Sequence, residues 1–249
     1  MARRRNSFFE CRQFRIDQGD CAMKVTTDAS LLGAWAPIED SSRILDIGTG
    51  TGLLALFAAQ RCSAAIDAVE VDPAAAGQAR RNFGASPWAD RLRLFEADVR
   101  DFEPDHGLYD AILCNPPFFT ASTQNRCDRL ARARHNDALP LADLLTAISR
   151  LLAGNGRAWL LLPPPEAATV SELCTTAGLY LRHALQVCSE PGTAPHRLIL
   201  QLEHHPGGCC QSEICLYDRH PYHSEASAAL FRPYYTRLKV GPPPDSADD

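Results

Sequence analysis

The 249-residue sequence has no apolar run near the ~18 residues of a membrane-spanning helix. Its longest, Leu53 to Ala59, stops at Gln60, and a membrane protein is not expected. Behind Met1-Ala2-Arg3-Arg4-Arg5 there is no apolar segment of the kind a secretory signal needs; Asn6, Ser7, Glu10 and Arg12 stand there instead. A cytoplasmic chain is the expectation. The ten cysteines include no C-x-x-C pair, and Cys62, Cys114, Cys174 and Cys188 sit in apolar surroundings, which favours buried reduced thiols over a disulfide scaffold. There is no G-x-S-x-G elbow for a hydrolase and no Gly-Lys-Ser/Thr for a nucleotide P-loop. No internal repeat is present. Nor is there an excess of positive charge: 25 Lys and Arg stand against 30 Asp and Glu, a net of −5, so no whole-surface field attracts a polyanion.

What is present is alternation. Apolar runs at Arg43–Ile47, Ala65–Val71, Leu92–Ala97, Tyr109–Cys114 and Arg157–Leu162 read as strands. Helical stretches separate most of them: Leu53–Gln60, one opened by Pro73, Leu141–Leu152 and Glu166–Ala177. Two further strands, Tyr180–Cys188 and His196–Glu203, are joined by a Pro191-Gly192 loop. The pattern predicts an α/β fold with a doubly wound, mostly parallel, seven-stranded sheet and an antiparallel edge. A helix over Ser224–Leu238 is expected to dock through Leu230, Phe231, Tyr234 and Tyr235, ahead of a disordered tail.

Asp46-Ile47-Gly48-Thr49-Gly50-Thr51-Gly52 follows the first strand and opens a helix, where open α/β sheets bind ligands. Glycines let the backbone approach a ligand, and a helix N-terminus offers free N–H groups. The dinucleotide fingerprint G-x-G-x-x-G is broken by Leu53, which disfavours a nicotinamide-dependent oxidoreductase. Glu70, ending the second strand, has the chemistry to accept from both hydroxyls of a ribose, and Asp98 to accept from an exocyclic amine; either also serves as a cap for the segment that follows. An aspartate before G-x-G-x-G, with an acid closing the second strand, resembles the class I S-adenosylmethionine-dependent methyltransferases.

Asn115-Pro116-Pro117-Phe118 follows the fourth strand and so faces the same crevice. It resembles the signature of enzymes that methylate planar amino groups. In such groups the lone pair is delocalised into the adjacent π-system, so the nitrogen is a weak nucleophile. The Asn115 oxygen and the Pro116 carbonyl, accepting from its two N–H bonds, would return electron density to it. Proline stiffens that carbonyl's direction, and Phe118 offers a face for the base.

Further motifs narrow the likeness: Phe14-Arg15-Ile16-Asp17, Cys21-Ala22-Met23-Lys24-Val25-Thr26-Thr27-Asp28, Leu31-Leu32-Gly33-Ala34-Trp35-Ala36, Ser86-Pro87-Trp88-Ala89-Asp90-Arg91, Ala131-Arg132-Ala133-Arg134-His135 and Tyr222-His223-Ser224-Glu225. Together, over about residues 8–239, they resemble the bacterial tRNA (adenine-N6)-methyltransferases acting on adenine 37 of a valine tRNA. The resemblance implies S-adenosyl-L-methionine as cofactor, held by Asp46, Gly48, Gly50, Glu70, Asp98 and Asn115, with Asn115, Pro116, Pro117 and Phe118 as the catalytic loop. It places Lys24 and Thr27 near the cofactor's methionine end or over the active site, unless that stretch is simply an N-terminal packing segment. It also implies a tRNA anticodon loop as partner and no metal. The family more often has tyrosine at Phe118, so a role for the hydroxyl is lost while stacking survives.

Local charge suits RNA. Residues 1–24 hold six basic side chains against three acidic ones, and Arg126, Arg129, Arg132 and Arg134 outnumber Asp128. Arg3, Arg4, Arg5, Arg129, Arg132 and Arg134 are the expected phosphate contacts. The Cys/His tract of His204, His205, Cys209, Cys210, Cys215, His220 and His223 lacks a usual zinc spacing. The expected organisation is a basic arm (1–24), a class I methyltransferase domain (25–205), a C-terminal appendage (206–240) and a tail (241–249). Rival readings are methylation of another planar nitrogen (rRNA guanine, DNA adenine or protein glutamine) and an RNA-binding protein without turnover.

Overall fold

Strands buried on both faces are mostly apolar, and alternate side chains feed two cores. The computed structural model describes residues 7–19, 24–117 and 139–241. The chain opens with a hairpin of β1 (Phe8–Glu10) and β2 (Arg15–Asp17). Then follow α1 (Thr27–Trp35), β3 (Arg43–Ile47), α2 (Leu53–Arg61), β4 (Ala65–Glu70), α3 (Pro73–Gly84), β5 (Leu92–Glu96) and β6 (Tyr109–Cys114). Beyond residue 139 come α4 (Leu141–Leu151), β7 (Leu152–Leu162), α5 (Pro164–Leu173), β8 (Tyr180–Cys188), β9 (Arg197–Glu203) and β10 (Cys210–Cys215). A small ladder of β11 (Tyr217–Arg219) and β12 (Tyr222–His223) leads into α6 (Glu225–Phe231).

The central sheet runs β10-β8-β9-β7-β6-β3-β4-β5. Only β9 is antiparallel to its neighbours β7 and β8. Along β6, Ala111 and Leu113 face a core shared with α1, α2 and α6, while Ile112 and Cys114 face the one under α4 and α5. Along β7, Trp159 and Leu161 join the first core and Leu160 and Leu162 the second.

Two expectations are corrected. The sheet has eight strands, not seven, because Cys210–Cys215 adds to β8 in parallel register. Gln211, Ser212 and Glu213 are exposed there, so this edge strand carries almost no apolar signal. Accordingly, the segment expected as a separate appendage contributes to the central sheet. The reversed strand is also not at the edge: β9 sits between β7 and β8 and is sealed on both sides. The C-terminal helix is shorter than expected, but its docking residues behave as read. Phe231 and Tyr234 are buried, and Tyr234 stacks on Phe57 with ring centroids 3.9 Å apart. Cys114, Cys174 and Cys188 are buried free thiols and Cys62 is half-buried.

Candidate active site

The site lies where β3, β4 and β6 end together. Ile47 is in register with Cys114, so Gly48 and Asn115 are the next residues out of adjacent strands. Val69 of β4 is in register with Ile47, and its carbonyl accepts from Gly48 N (2.9 Å) and Thr49 N (3.2 Å). Those bonds fold the glycine loop over the strand ends.

Gly48, Gly50 and Gly52 all have positive φ (68°, 56° and 87°), a region that costs other residues strain. They differ in surroundings. A Cβ on Gly48 would meet nothing within 4 Å, so its backbone borders open space of the kind a ligand fills. A Cβ on Gly52 would stand 2.5 Å from Phe83 Cε1, so that glycine is required by packing.

Three acids in or just beyond β3, β4 and β5 are in different states, and the first two bond the loop. Asp46 is fully buried; its Oδ2 accepts from Thr49 Oγ1 (2.6 Å) and Ala55 N (3.1 Å), while Oδ1 is buried without a partner. Burial pushes its carboxyl up to about 7 against those two hydrogen bonds, and the neighbouring Glu70 adds to the rise. Glu70 holds Gly50 N on Oε2 (2.8 Å) and Asp72 N on Oε1 (2.9 Å). Each of its oxygens keeps a lone pair for a further donor. Asp98 accepts from the backbone N–H and guanidinium of Arg100, and the side-chain bonds above all hold it below the ordinary aspartate range.

Asn115 and Pro116 are half-buried and Pro117 is exposed at the mouth of the crevice. Lys24 is half-buried before α1. Thr27, the first residue of α1, is half-buried, and Thr26 caps the helix by accepting from Ala29 N at 3.2 Å. Phe118, Arg129, Arg132 and Arg134, like Arg3, Arg4 and Arg5, lie outside the described residues. Among the described residues no group of three or more His, Cys, Asp or Glu is placed to hold a metal ion.

Sequence reading missed one buried side chain beside the loop. Asn82 of α3 bonds both to Thr51 O (2.8 Å) and to the backbone of Asp17. Its signal was a polar residue on the apolar face formed by Ala75, Ala79 and Phe83.

Residues 21–135 match the methyltransferase small domain family. Among solved structures, one described as a predicted O-methyltransferase from Agrobacterium tumefaciens superposes with a TM-score of 0.63 at 18% identity, covering 86% of this chain and 98% of its own. A ribosomal-protein methylase from Lactobacillus delbrueckii subsp. bulgaricus gives 0.53 at 16% identity, covering 76% and 83%. Both carry the fold alone. Two curated relatives bear the name tRNA1(Val) (adenine(37)-N6)-methyltransferase. That of Shewanella loihica is 39% identical, covering 92% of this chain and 99% of its own length. The Bacteroides thetaiotaomicron protein is 41% identical, covering 94% and 99%. With the relatives matched end to end and the crevice built on the same chain, the protein belongs to the tRNA1(Val) (adenine(37)-N6)-methyltransferase family.

Proposed function

We propose that this chain methylates the exocyclic N6 of adenine 37 in the anticodon loop of a valine tRNA, using S-adenosyl-L-methionine. The observation that carries the reading is the register of β3 with β6, which sets the glycine loop and Asn115 side by side. A methyl donor on the loop and an amino group against Asn115 are thereby neighbours.

The residues fit the cofactor. The open space beside Gly48 admits its backbone-facing part, the free lone pairs of Glu70 match two ribose hydroxyls, and Asp98 suits the adenine amine. Lys24 and Thr27 are assigned to the methionine end. When bound, the cofactor supplies a methyl group on a cationic sulfur. The chain's own part is orientation. The Asn115 oxygen and the Pro116 carbonyl accept from the two N–H bonds of the adenine amine, which localises its lone pair. Pro117 stiffens the turn and Phe118 stacks on the ring. A base in an anticodon loop is cheaply unstacked, so turning it into the crevice costs little. Arg3, Arg4, Arg5, Arg129, Arg132 and Arg134 take backbone phosphates. Among the described residues no helix is long and apolar enough to cross a membrane, in keeping with a cytoplasmic tRNA enzyme.

The test is methyl transfer from labelled S-adenosylmethionine into separate pools of total tRNA, rRNA, DNA and protein from a strain lacking the activity, followed by mapping of the labelled product. Label at N6 of adenine 37 is expected. Asn115→Ala should lower the rate by about 10²–10³-fold, as loss of one orienting polar group does elsewhere. Label in rRNA, DNA or protein glutamine, or full activity in the variant, contradicts the assignment.

A further inference from the structure

The N-terminal hairpin is bonded to the glycine loop through one side chain. Asn82 is 3% exposed. Its Oδ1 accepts from Asp17 N at 3.0 Å and its Nδ2 donates to Asp17 O at 2.9 Å. A carboxamide that accepts from and donates to one backbone unit replaces a neighbouring strand. It does so on the edge of β2 that β1 leaves free, since among the described residues the hairpin has no third strand. The other bond of Nδ2, to Thr51 O at 2.8 Å, holds the glycine loop itself. Aspartate in this place would offer no donor, and alanine or leucine would leave three backbone groups of two segments without this partner, the Thr51 carbonyl in a buried setting.

The hairpin is seated by more than this bond. Cys11, Phe14 and Ile16 are buried, and Phe14 meets Phe57 and Trp88 edge-on. Past the hairpin, Gln18 is 5% exposed and its Oε1 accepts from Val25 N at 2.9 Å, which fixes the approach to Thr26 and Thr27. One connected set of bonds therefore runs from the glycine loop through Asn82 to β2 and on to the residues leading into α1.

We propose that Asn82 is a positioning residue that makes the N-terminal hairpin part of the cofactor site, so that hairpin docking and ordering of the glycine loop are one event. This rests on the reading that the loop binds S-adenosylmethionine. Two sites that share a linking element influence one another equally. Binding at the loop must therefore steady the hairpin, and loosening the hairpin must weaken binding at the loop.

The full-length protein is tested by hydrogen exchange with and without S-adenosylmethionine, by cofactor titration and by steady-state kinetics. In the wild type, cofactor should slow exchange over residues 8–17 as well as over the loop. Asn82→Asp, which keeps shape and acceptor but loses both donor bonds, should raise cofactor Kd and KM by about tenfold or more. It should also abolish the slowing over 8–17, with kcat at saturating cofactor and tRNA affinity little changed. A merely structural Asn82 would lower stability without that split between KM and kcat. Unaltered hairpin exchange in the wild type on cofactor binding overturns the proposal even if the variant fails to fold; so does a variant that folds and binds cofactor normally. A wild-type protein that binds no S-adenosylmethionine overturns the underlying methyltransferase reading instead.

Discussion

Two buried aspartates show how partners decide what a carboxylate does. Asp67, 2% exposed, receives two bonds from Arg93 (2.8 and 2.9 Å) and one from the Tyr109 hydroxyl (2.7 Å), with Arg43 at 3.5 Å. Its charge is met by cations, and it ties the sheet together. Asp46 has only a hydroxyl and one N–H, both on one oxygen, and burial moves it to about 7. In the unfolded chain an aspartate ionises near 4. Between about pH 4 and 7 the folded state therefore holds a proton that the unfolded state has lost. Stability from this group is complete below pH 4 and disappears as pH rises through 7. Asp46→Asn is expected to remove that dependence. Between pH 4 and 8 the wild type should lose up to about 4 kcal/mol relative to the variant in cofactor-free urea melts. A difference that stays constant with pH would mean that Asp46 is ionised throughout.

At the scale of elements, the glycine loop divides into a part facing open space and a part facing the core. Gly52→Ala sets a Cβ against Phe83, itself buried, and adds the cost of positive φ. A loss of about 2–4 kcal/mol is expected in chemical unfolding. Gly48→Ala meets no atom, so about 1–2 kcal/mol of backbone strain is its whole stability cost, and its larger effect should be on cofactor affinity. Equal destabilisation by the two would refute the distinction. The same elements show what a sequence can carry. The runs Arg43–Ile47 and Tyr109–Cys114 were legible with their boundaries, because strands covered on both faces must be apolar. That Gly48, Glu70 and Asn115 would stand at the ends of strands was legible too, because the apolar runs before them mark where each strand stops. The edge strand β10 was not, since half of its pattern is written for water. Helix α1 also escaped, as Ala29 to Ala34 are all buried and leave no amphipathic stripe. The place of β9 inside the sheet and the partners of Asn82, which reach 65 and 31 residues away, depend on strand order and packing that no local spacing encodes.

For the molecule as a whole, charge sets the terms on which RNA is held. A chain of net charge −5 repels a polyanion at long range, so affinity must come from a few local cations. The sequence concentrates them near residues 3–5 and 126–134, on either side of the stretches that form the crevice. Each phosphate neutralised by an arginine releases a counterion, and for single-stranded RNA the slope of log K against log salt changes by ~0.7 per contact. Replacing Arg129, Arg132 and Arg134 together by alanine should therefore flatten that slope by about 2 and weaken tRNA binding most at low salt. S-adenosylmethionine affinity should not move, because Glu70 ends β4 and Gly48 directly follows β3, so the ends of the sheet's own strands position them. Titrations of tRNA at several salt concentrations, paired with cofactor titrations, separate the two. A slope equal to the wild type's would shift the phosphate contacts to other cations. A parallel loss of cofactor affinity would mean that this segment supports the crevice itself.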